Sequence, residues 1–171
     1  MYKHIPHHRY KITLEFLQKH LPAPARILDL GVTNPFTEVM LKAGYEVVNT
    51  GGEDLDFDFE AVKKDGFDAL TAFEIIEHLV SPLPVLHAAA PKKLFATIPT
   101  DLWFAKAYWS ESDPRDRHYH EFEPRQFDML VEKAKWNIKD TIRWNHPGKA
   151  FGIRPLLRRF TPRYYGVYAE R

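Results

Sequence analysis

Residues 26–50, RILDLGVTNPFTEVMLKAGYEVVNT, decide the fold because their hydrophobic period changes twice. The run RILDLG is short, rich in branched residues and closed by a glycine, which is typical of a buried strand. PFTEVMLKAG then has apolar side chains at the i, i+3, i+4, i+7 spacing of a helix, with Pro35 at its start and Gly44 after its end. YEVVNT returns to a strand pattern. This order predicts parallel strands joined by a helix.

The alternation of strands and helices continues to the end of the chain. FDALTAF and KLFATIP, residues 67–73 and 93–99, are further strand patterns. PRQFDMLVEKA, residues 124–134, has helical spacing, and WNIKDTIRW and RYYGVYAE are typical of closing strands. The chain has 171 residues, which is short for two ordinary domains. We therefore predict a single α/β domain, residues 1–171, with a mainly parallel sheet.

Composition limits the chemistry and the compartment. The chain has no cysteine, which excludes disulfides, thiolate nucleophiles and cysteine-ligated zinc. No apolar run approaches the roughly 20 residues that cross a bilayer, and the N-terminal residues lack the apolar core of a signal peptide. We therefore predict a cytoplasmic protein with no transmembrane segment. Its chemistry has to use histidines, carboxylates, hydroxyls or a bound cofactor.

Charge is distributed unevenly, although the net charge is +1. Residues 141–171 contain seven basic residues and one acid, whereas residues 51–60, GGEDLDFDFE, are acidic. Clustered arginine binds phosphate well. RPLLRRFTPRYY, residues 154–165, therefore predicts either a segment that attracts an anionic acceptor, such as a nucleic acid, a phosphorylated sugar or a lipid head group, or a solvated connection between the last two strands.

Several polar segments are expected to meet at one edge of the sheet. In a parallel α/β sheet the ligand crevice lies beyond the carboxyl ends of the strands. RILDL, YEVVNT, FDALTAF and KLFATIP all end there. The third of them is followed by Glu74, Glu77 and His78. The sequence therefore predicts a ligand site at this edge.

The order of these motifs resembles the class I S-adenosylmethionine-dependent methyltransferases over nearly the whole chain. Asp29 and Gly31 match the family's Asp-x-Gly, Glu77-His78-Leu79 matches its Glu-His-Leu, and residues 120–124, HEFEP, match its His-x-Phe-x-Pro. The resemblance implies a Rossmann-like three-layer sandwich whose sheet has seven strands, the last of them antiparallel. It also implies S-adenosyl-L-methionine as cofactor and S-adenosyl-L-homocysteine as product.

The resemblance also implies a set of cofactor-binding residues. Asp29 would orient the cofactor's ammonium or the following loop, although a strand-end Asp also caps turns. Glu53 would replace the usual ribose-binding acid near Gly51. Asp56 would accept a hydrogen bond from the adenine amine and Phe57 would pack on the ring, unless this acidic run is only a solvated turn. The full set is Asp29, Gly31, Gly51, Glu53, Asp56, Phe57, Phe73 and Glu74.

Two departures from the family keep other functions open. Thr33 and Pro35 occupy two of the positions that are usually glycine, and added side chains restrict the loop. The segment between YEVVNT and FDALTAF is short, so that one helix and strand are shortened or absent. The alternative functions are a non-catalytic binding domain with the methyltransferase fold and another α/β enzyme such as a dehydrogenase. The lack of Gly-x-Gly-x-x-Gly after a strand disfavours the dehydrogenase.

Histidines are the candidate bases for removing a proton from an acceptor oxygen or nitrogen. We predict His78, His120 and Glu77 as catalytic, with His118 as a further candidate base. Glu-x-x-Glu-His is also similar to the metal site of the small-RNA terminal 2′-O-methyltransferases, which implies the ligand set Glu74, Glu77, His78 and His120. We favour the metal-free role, since many metal-free members of the family carry Glu-His-Leu.

The acceptor itself is not encoded in a recognisable motif. It is a small molecule, a sugar or a nucleic acid. DLWFAKAYW, residues 101–109, follows the fourth strand. Its aromatic side chains predict either the lining of an acceptor pocket or an amphipathic helix over the core. Those side chains belong to Trp103, Phe104, Tyr108 and Trp109.

Overall fold

Strands and helices alternate along the computed structural model, which describes residues 6–145, 157 and 160–171. Most elements lie where the sequence predicts them, and β4 has the predicted bounds. The strands are β1 (Arg26–Asp29), β2 (Glu46–Asn49), β3 (Ala69–Phe73), β4 (Lys93–Pro99), β5 (Asn137–Trp144) and β6 (Tyr164–Glu170). The helices are α1 (His7–His20), α2 (Pro35–Lys42), α3 (Pro82–Ala88) and α4 (Pro124–Lys133).

The described strands form one sheet in the order β2-β1-β3-β4-β6-β5. Neighbours pair in parallel except around β6, which is antiparallel to both β4 and β5. The predicted mainly parallel sheet with an antiparallel last strand is therefore confirmed. Six strands are described instead of the family's seven. Residues 50–68 contain a single 3-10 turn, Glu60–Lys63, and this leaves β2 at the edge.

Apolar side chains cover both faces of the sheet, which gives the predicted three layers. Alternate residues of a strand point to opposite faces. In β1, Ile27 packs with α1 and α2, whereas Leu28 packs with α3 and α4. In β4, Phe95 and Leu94 divide in the same way. A sheet buried on both faces accounts for the continuous apolar runs of these strands.

Strand register brings the functional segments to one edge. Asp29 at the end of β1 pairs with Thr71 of β3, and Phe73 at the end of β3 pairs with Thr97 of β4. The antiparallel β6 starts where β4 ends, because Tyr164 pairs with Pro99. The loops after β1, β3 and β4 and the segment before β6 therefore meet. No helix among the described residues is long and apolar enough to cross a membrane.

Candidate functional site

A cavity of about 650 Å³ opens at the carboxyl ends of β1, β3 and β4. Its volume is within the range of small-molecule sites. Six of the residues predicted as catalytic or cofactor-binding line it, and so do the candidate base His118 and Tyr108 of segment 101–109. The six are Asp29, Gly31, Phe73, Glu74, Glu77 and His78. The structure therefore gathers the strand-end motifs at one site.

Asp29 fastens the ends of three strands together. Its Oδ1 accepts a hydrogen bond from the Thr71 hydroxyl at 2.6 Å, and its Oδ2 accepts one from Asn49 Nδ2 at 2.9 Å. The residue is only 2% exposed. Burial raises the pKa of its carboxyl group to about 6, although both hydrogen bonds favour the charged form. Asp29 therefore holds the strand ends of the site together, and it also lines the cavity.

The loop from Gly31 to α2 leaves the cavity open despite its two non-glycine residues. Gly31 has φ +96°, and a Cβ on it would lie 3.1 Å from Ile75 Cδ1 on the opposite wall. Asn34 caps α2 through bonds from the Phe36 and Thr37 amides, which places Pro35 at the first helical position. Val32 and Asn34 line the cavity, whereas Thr33 and Pro35 are not among its lining residues. The side chains of Thr33 and Pro35 therefore do not fill the cavity.

The predicted ribose and adenine contacts lie beside the cavity rather than in its lining. Glu53 is half-buried, and its Oε2 would lie 3.1 Å from a Cβ on Gly51, so that this carboxylate flanks the end of β2. Gly52 is the residue of this turn that lines the cavity. Phe57 is 87% exposed and packs on nothing that would hold a ring in place. The roles of Gly51, Glu53 and Phe57 stay predictions.

Asp56 has a structural role that the sequence did not indicate. Its two carboxylate oxygens accept hydrogen bonds from the Val80 and Ser81 amides, at 2.9 and 2.7 Å. Ser81 makes no side-chain cap on α3, and these bonds at the start of the helix come from Asp56 instead. Asp56 therefore links the acidic run to the turn after β3. Its carboxylate is already committed, which weakens the adenine assignment.

Glu74 is held in a left-handed backbone conformation and an ion pair. Its φ is +58°, which is uncommon for a residue other than glycine and is found at functional sites. Its Oε2 accepts a bond from Arg9 Nη1 at 3.0 Å, and its Oε1 accepts one from the Thr97 hydroxyl at 3.0 Å. Burial raises the pKa of Glu74, and the Arg9 guanidinium opposes that shift. Arg9 thereby ties α1 to the cavity.

Glu77 is a buried carboxyl group without a partner in the described structure. It is 1% exposed, and neither side-chain oxygen has a hydrogen bond. Burial, and then the nearby charge of Glu74, raise its pKa well above the usual range. Glu77 Oε1 lies 3.9 Å from His78 Nε2. A protonated carboxyl in this position can donate a hydrogen bond to a ligand in the cavity.

His78 and His118 form a pair with their rings 4.8 Å apart. His78 Nδ1 lies 3.1 Å from the Arg117 carbonyl, which can only accept, so Nδ1 donates and Nε2 is left as the acceptor. His118 Nδ1 lies 3.0 Å from Glu121 Oε1, and because a carboxylate accepts, Nδ1 of this ring also donates. Burial, and then His118, lower the pKa of His78. Among the described residues, no hydrogen bond occupies Nε2 of either ring.

His120 is the predicted catalytic residue that the structure places elsewhere. Its Nε2 lies 3.2 Å from the Val80 carbonyl, and its ring stacks on Phe122. His120 lines neither cavity that we describe. Its own backbone amide and that of Tyr119 donate to the Glu77 carbonyl, and this docking turns His118 toward His78 instead. The histidine that matches the family motif and the histidine that lines the cavity are therefore two residues apart.

Among the described residues, one group of side chains has the spacing of a metal site. Glu77, His78 and His118 each offer a ligand atom, and these atoms lie within 4.8 Å of one another. The set implied by the resemblance differs, because Glu74 is paired with Arg9 and His120 is bonded to a carbonyl. Two imidazoles and a carboxylate suit Zn²⁺ or Mn²⁺ more than Mg²⁺.

A second cavity, of about 300 Å³, adjoins the first beneath the loop that follows β4. The two share Pro99, Tyr108, His118 and Arg163. Residues 101–109 form no helix, so the amphipathic-helix alternative is wrong. Of the four aromatic residues of this segment, Tyr108 and Trp109 line the second cavity, whereas Trp103 is 79% exposed.

Among the lining residues that the sequence interpretation did not place in the site are Arg9 and Glu121, and Arg163 is the described arginine of the predicted anion-attracting segment that reaches it. The neighbours of Arg9, His7 and His8, are exposed at the start of α1 and do not line the cavity. Five of the twelve residues of the basic segment 154–165 lie outside the described residues, including Arg154, Arg158 and Arg159. Their predicted contact with an anionic acceptor is therefore not addressed.

Comparison with known proteins supports the fold. No family model and no curated protein matches the sequence. A SAM-dependent methyltransferase from Archaeoglobus fulgidus is similar in structure, with a TM-score of 0.62 and 14% identity over 95% of this chain and 94% of that one. A putative S-adenosylmethionine-dependent methyltransferase from Listeria monocytogenes has a TM-score of 0.63 and 12% identity, covering 95% and 98%.

A third similar structure is named as a different class of enzyme. A putative Zn-dependent alcohol dehydrogenase from Rhodobacter sphaeroides has a TM-score of 0.63 and 8% identity over 92% of this chain and 87% of that one. Together with the methyltransferase structures, these likenesses establish the class I methyltransferase fold for this chain. At such low identities the likeness concerns the fold alone, and function has to be argued from the site.

Proposed function

We propose that the protein is an S-adenosylmethionine-dependent methyltransferase that acts on an oxygen or nitrogen nucleophile. The observation that carries the proposal is the 650 Å³ cavity, which is lined by both the Gly31 turn and the His78–His118 pair. A glycine turn for the cofactor and imidazoles for the acceptor in one cavity is the arrangement that methyl transfer to a protonated nucleophile needs.

The charges that line the cavity fit this cofactor. Five carboxyl side chains line it against three arginines. An excess of carboxyl groups favours a ligand with a sulfonium and an ammonium group. The carboxyl residues are Asp29, Glu74, Glu77, Asp113 and Asp116, and the arginines are Arg9, Arg115 and Arg163.

The glycine turn provides the close approach that the cofactor would require. Gly31 donates its amide hydrogen to the Thr50 hydroxyl at 2.8 Å, which fixes the turn in its open form. Because a Cβ at Gly31 would nearly reach Ile75, any larger side chain would fill this part of the cavity. We assign cofactor contacts to Gly31, Gly52 and Phe73, and ribose binding to Glu53 beside them.

When bound, S-adenosylmethionine supplies an electrophilic methyl group whose bond to sulfur breaks as the acceptor's new bond to carbon forms. The chain's own residues would orient the acceptor and take its proton. His118 Nε2 is the base, since Glu121 holds Nδ1 and the ring lines both cavities. His78 stays neutral beside it, because burial disfavours its charged form. Glu77 holds its proton and donates to the acceptor.

Two other interpretations remain distinct candidates. A non-catalytic binding domain with this fold would bind S-adenosylhomocysteine or another ligand without transferring a methyl group. A divalent cation held by Glu77, His78 and His118 is the alternative occupant of the acceptor side, and the unpartnered oxygens of Glu77 favour it. Such an ion would lower the pKa of an acceptor hydroxyl.

The test begins with binding. Calorimetry with S-adenosylhomocysteine should give a saturable signal that Gly31→Val abolishes and His118→Ala leaves within about threefold. Transfer of labelled methyl groups to fractionated cell metabolites and RNA should then fall by about 10²- to 10⁴-fold in His118→Ala. His87→Ala, an exposed histidine outside both cavities, is the matched control.

Each alternative has its own outcome in this experiment. No binding of S-adenosylhomocysteine at millimolar concentration refutes the methyltransferase. Binding with no transfer to any fraction favours the binding domain. Activity that excess EDTA removes and Mn²⁺ or Zn²⁺ restores, together with its loss in Glu77→Gln, assigns the cluster to a cation, whereas full activity in EDTA excludes that ion.

A further inference from the structure

We infer that the acceptor is a small organic acid whose carboxylate or phosphate binds Arg163 in the second cavity. This inference rests on the proposed methyl transfer and specifies the substrate class for the same site. It depends on three features: a guanidinium without a hydrogen bond or ion pair in the described structure, the charge of the second cavity, and the position of that cavity next to His118.

Arg163 lies at the junction of the two cavities and makes no ion pair within 4 Å among the described residues, although Glu74 in the first cavity feels its charge. It is half-buried, and its backbone is fixed by bonds between its amide and the Trp144 carbonyl and between the Thr100 amide and its own carbonyl. Its guanidinium makes no ion pair or hydrogen bond in the described structure and only lies over the neighbouring Tyr164 ring, 5.8 Å from its centroid. Arginine in such a position is a ready donor for two acceptor oxygens.

The segments outside the described ranges contain no acidic side chain that could pair with Arg163. Residues 1–5, 146–156 and 158–159 contain no aspartate and no glutamate in the sequence. They contain Lys3, Lys149, Arg154, Arg158 and Arg159. No side-chain carboxylate of these segments is therefore available to neutralise Arg163.

The second cavity differs in charge from the first. Lys106 and Arg163 line it against a single acid, Glu121. That acid is already engaged, because its Oε1 accepts from His118 Nδ1 at 3.0 Å and from the Tyr108 amide at 3.3 Å. A carboxylate or phosphate ligand therefore meets net positive charge in this cavity, whereas the acid-rich first cavity would repel it.

The shape of the second cavity favours a compact acceptor. Its volume of about 300 Å³ is at the lower end of small-molecule sites. Tyr108 and Trp109 provide flat apolar walls, and His118 lines the boundary that this cavity shares with the first one. An acceptor with its anionic group on Arg163 would present its nucleophilic oxygen or nitrogen to His118. Short organic acids with a hydroxyl or amine fit this arrangement, whereas a nucleic-acid strand exceeds the cavity.

Binding of three matched probes tests the inference without turnover. The probes are 4-hydroxybenzoate, phenyl phosphate and the neutral phenol, each titrated into the whole protein with and without saturating S-adenosylhomocysteine. We expect one or both anions to bind more tightly than phenol, by about 10-fold or more, and to weaken with added salt. The two anionic probes distinguish a carboxylate from a phosphate source.

Substitution of Arg163 gives the decisive comparison. Arg163→Met should weaken the anionic probe by about 10- to 100-fold, whereas Arg163→Lys should give an intermediate loss because it keeps the charge but not the two-pronged contact. The matched control is Arg125→Met, an exposed arginine outside both cavities. If Arg163→Met does not fold, judged by its thermal unfolding, Lys106→Glu at an exposed position of the same cavity should weaken the anion in its place.

Three results would overturn the inference. Phenol binding as tightly as both anions would do so, as would wild-type anion affinity in the folded Arg163→Met variant. Tight binding of a short RNA that Arg163→Met abolishes, with no small anion bound, would identify a nucleic-acid acceptor instead. S-adenosylhomocysteine binding is measured separately, so a failure of the proposed function is seen independently of a failure of the acceptor class.

Discussion

Replacing Asp29 with asparagine should remove part of the pH dependence of folding stability. The pKa of this carboxyl group rises from 3.8 to about 6 in the folded protein, chiefly because burial disfavours its charge. A shift of about two units corresponds to about 3 kcal/mol. Because the folded pKa is the higher one, the folded state binds the proton more tightly. Stability from this group is therefore present below about pH 4 and lost as the pH rises to about 6.

The magnitude is measured as a difference between proteins. Urea unfolding of the wild type and Asp29→Asn gives the free energy of unfolding at several pH values between 4 and 8. The variant's value minus the wild type's should rise by about 3 kcal/mol across this range. A lost hydrogen bond to Thr71 or Asn49 adds an offset, but that offset is the same at every pH. Other titrating groups cancel because both proteins contain them.

A flat difference across the range would refute this account of Asp29. It would mean that the hydrogen bonds from Thr71 and Asn49 compensate fully for burial. Asp65→Asn, at an exposed position, is the matched surface control for the same chemical change. A falling difference would mean that Asp29 is stabilised as a carboxylate, which would reverse the sign of the argument.

Two further predictions concern the walls of the cavity. Gly52→Ala should lower the free energy of unfolding by about 1–3 kcal/mol, because Gly52 has φ +85° and its new Cβ would lie 2.8 Å from Val32 Cγ1. Adding Val32→Ala should remove the steric clash but not the cost of the positive φ. An unchanged urea midpoint in Gly52→Ala would contradict this prediction. Arg9→Met should destabilise the fold by about 1–3 kcal/mol, because it leaves the buried Glu74 carboxylate without its ion-pair partner. The double variant Arg9→Met/Glu74→Gln should recover most of that loss. Equal losses in both variants would show that the ion pair contributes little.

The fold was predictable because its signals are local. β4 lies at its predicted bounds, since a strand buried on both faces is an uninterrupted apolar run. The start of α2 was predictable from Pro35, and the structure adds the Asn34 cap. The alternative helix at 101–109 was wrong because amphipathic spacing cannot separate a helix from a loop that covers a cavity. Only the tertiary structure decides between them.

The sequence predicted the placement of site residues where they follow a strand end; it named His118 as a candidate base without placing that residue beside His78. Asp29, Gly31 and Glu77 belong to the strand-end group. Arg9 and His118 do not, because they arrive from distant segments that dock on the strand ends. His118 is positioned by backbone bonds from the next two residues to the Glu77 carbonyl, and motif matching cannot detect such bonds. The acceptor side therefore needed the structure.

The three buried carboxyl groups are the strongest sign that this edge of the sheet was selected for binding rather than for stability. Burial raises the pKa of Asp29, Glu74 and Glu77, so each of them disfavours the folded state at neutral pH relative to an uncharged side chain. Asp29 and Glu74 at least hold hydrogen bonds, but neither oxygen of Glu77 has one in the described structure. A neutral apolar residue would fill the position of Glu77 at lower cost. A buried acidic group without a hydrogen bond is typical of a binding site, and its position beside the His78–His118 pair is the arrangement on which the proposed function depends.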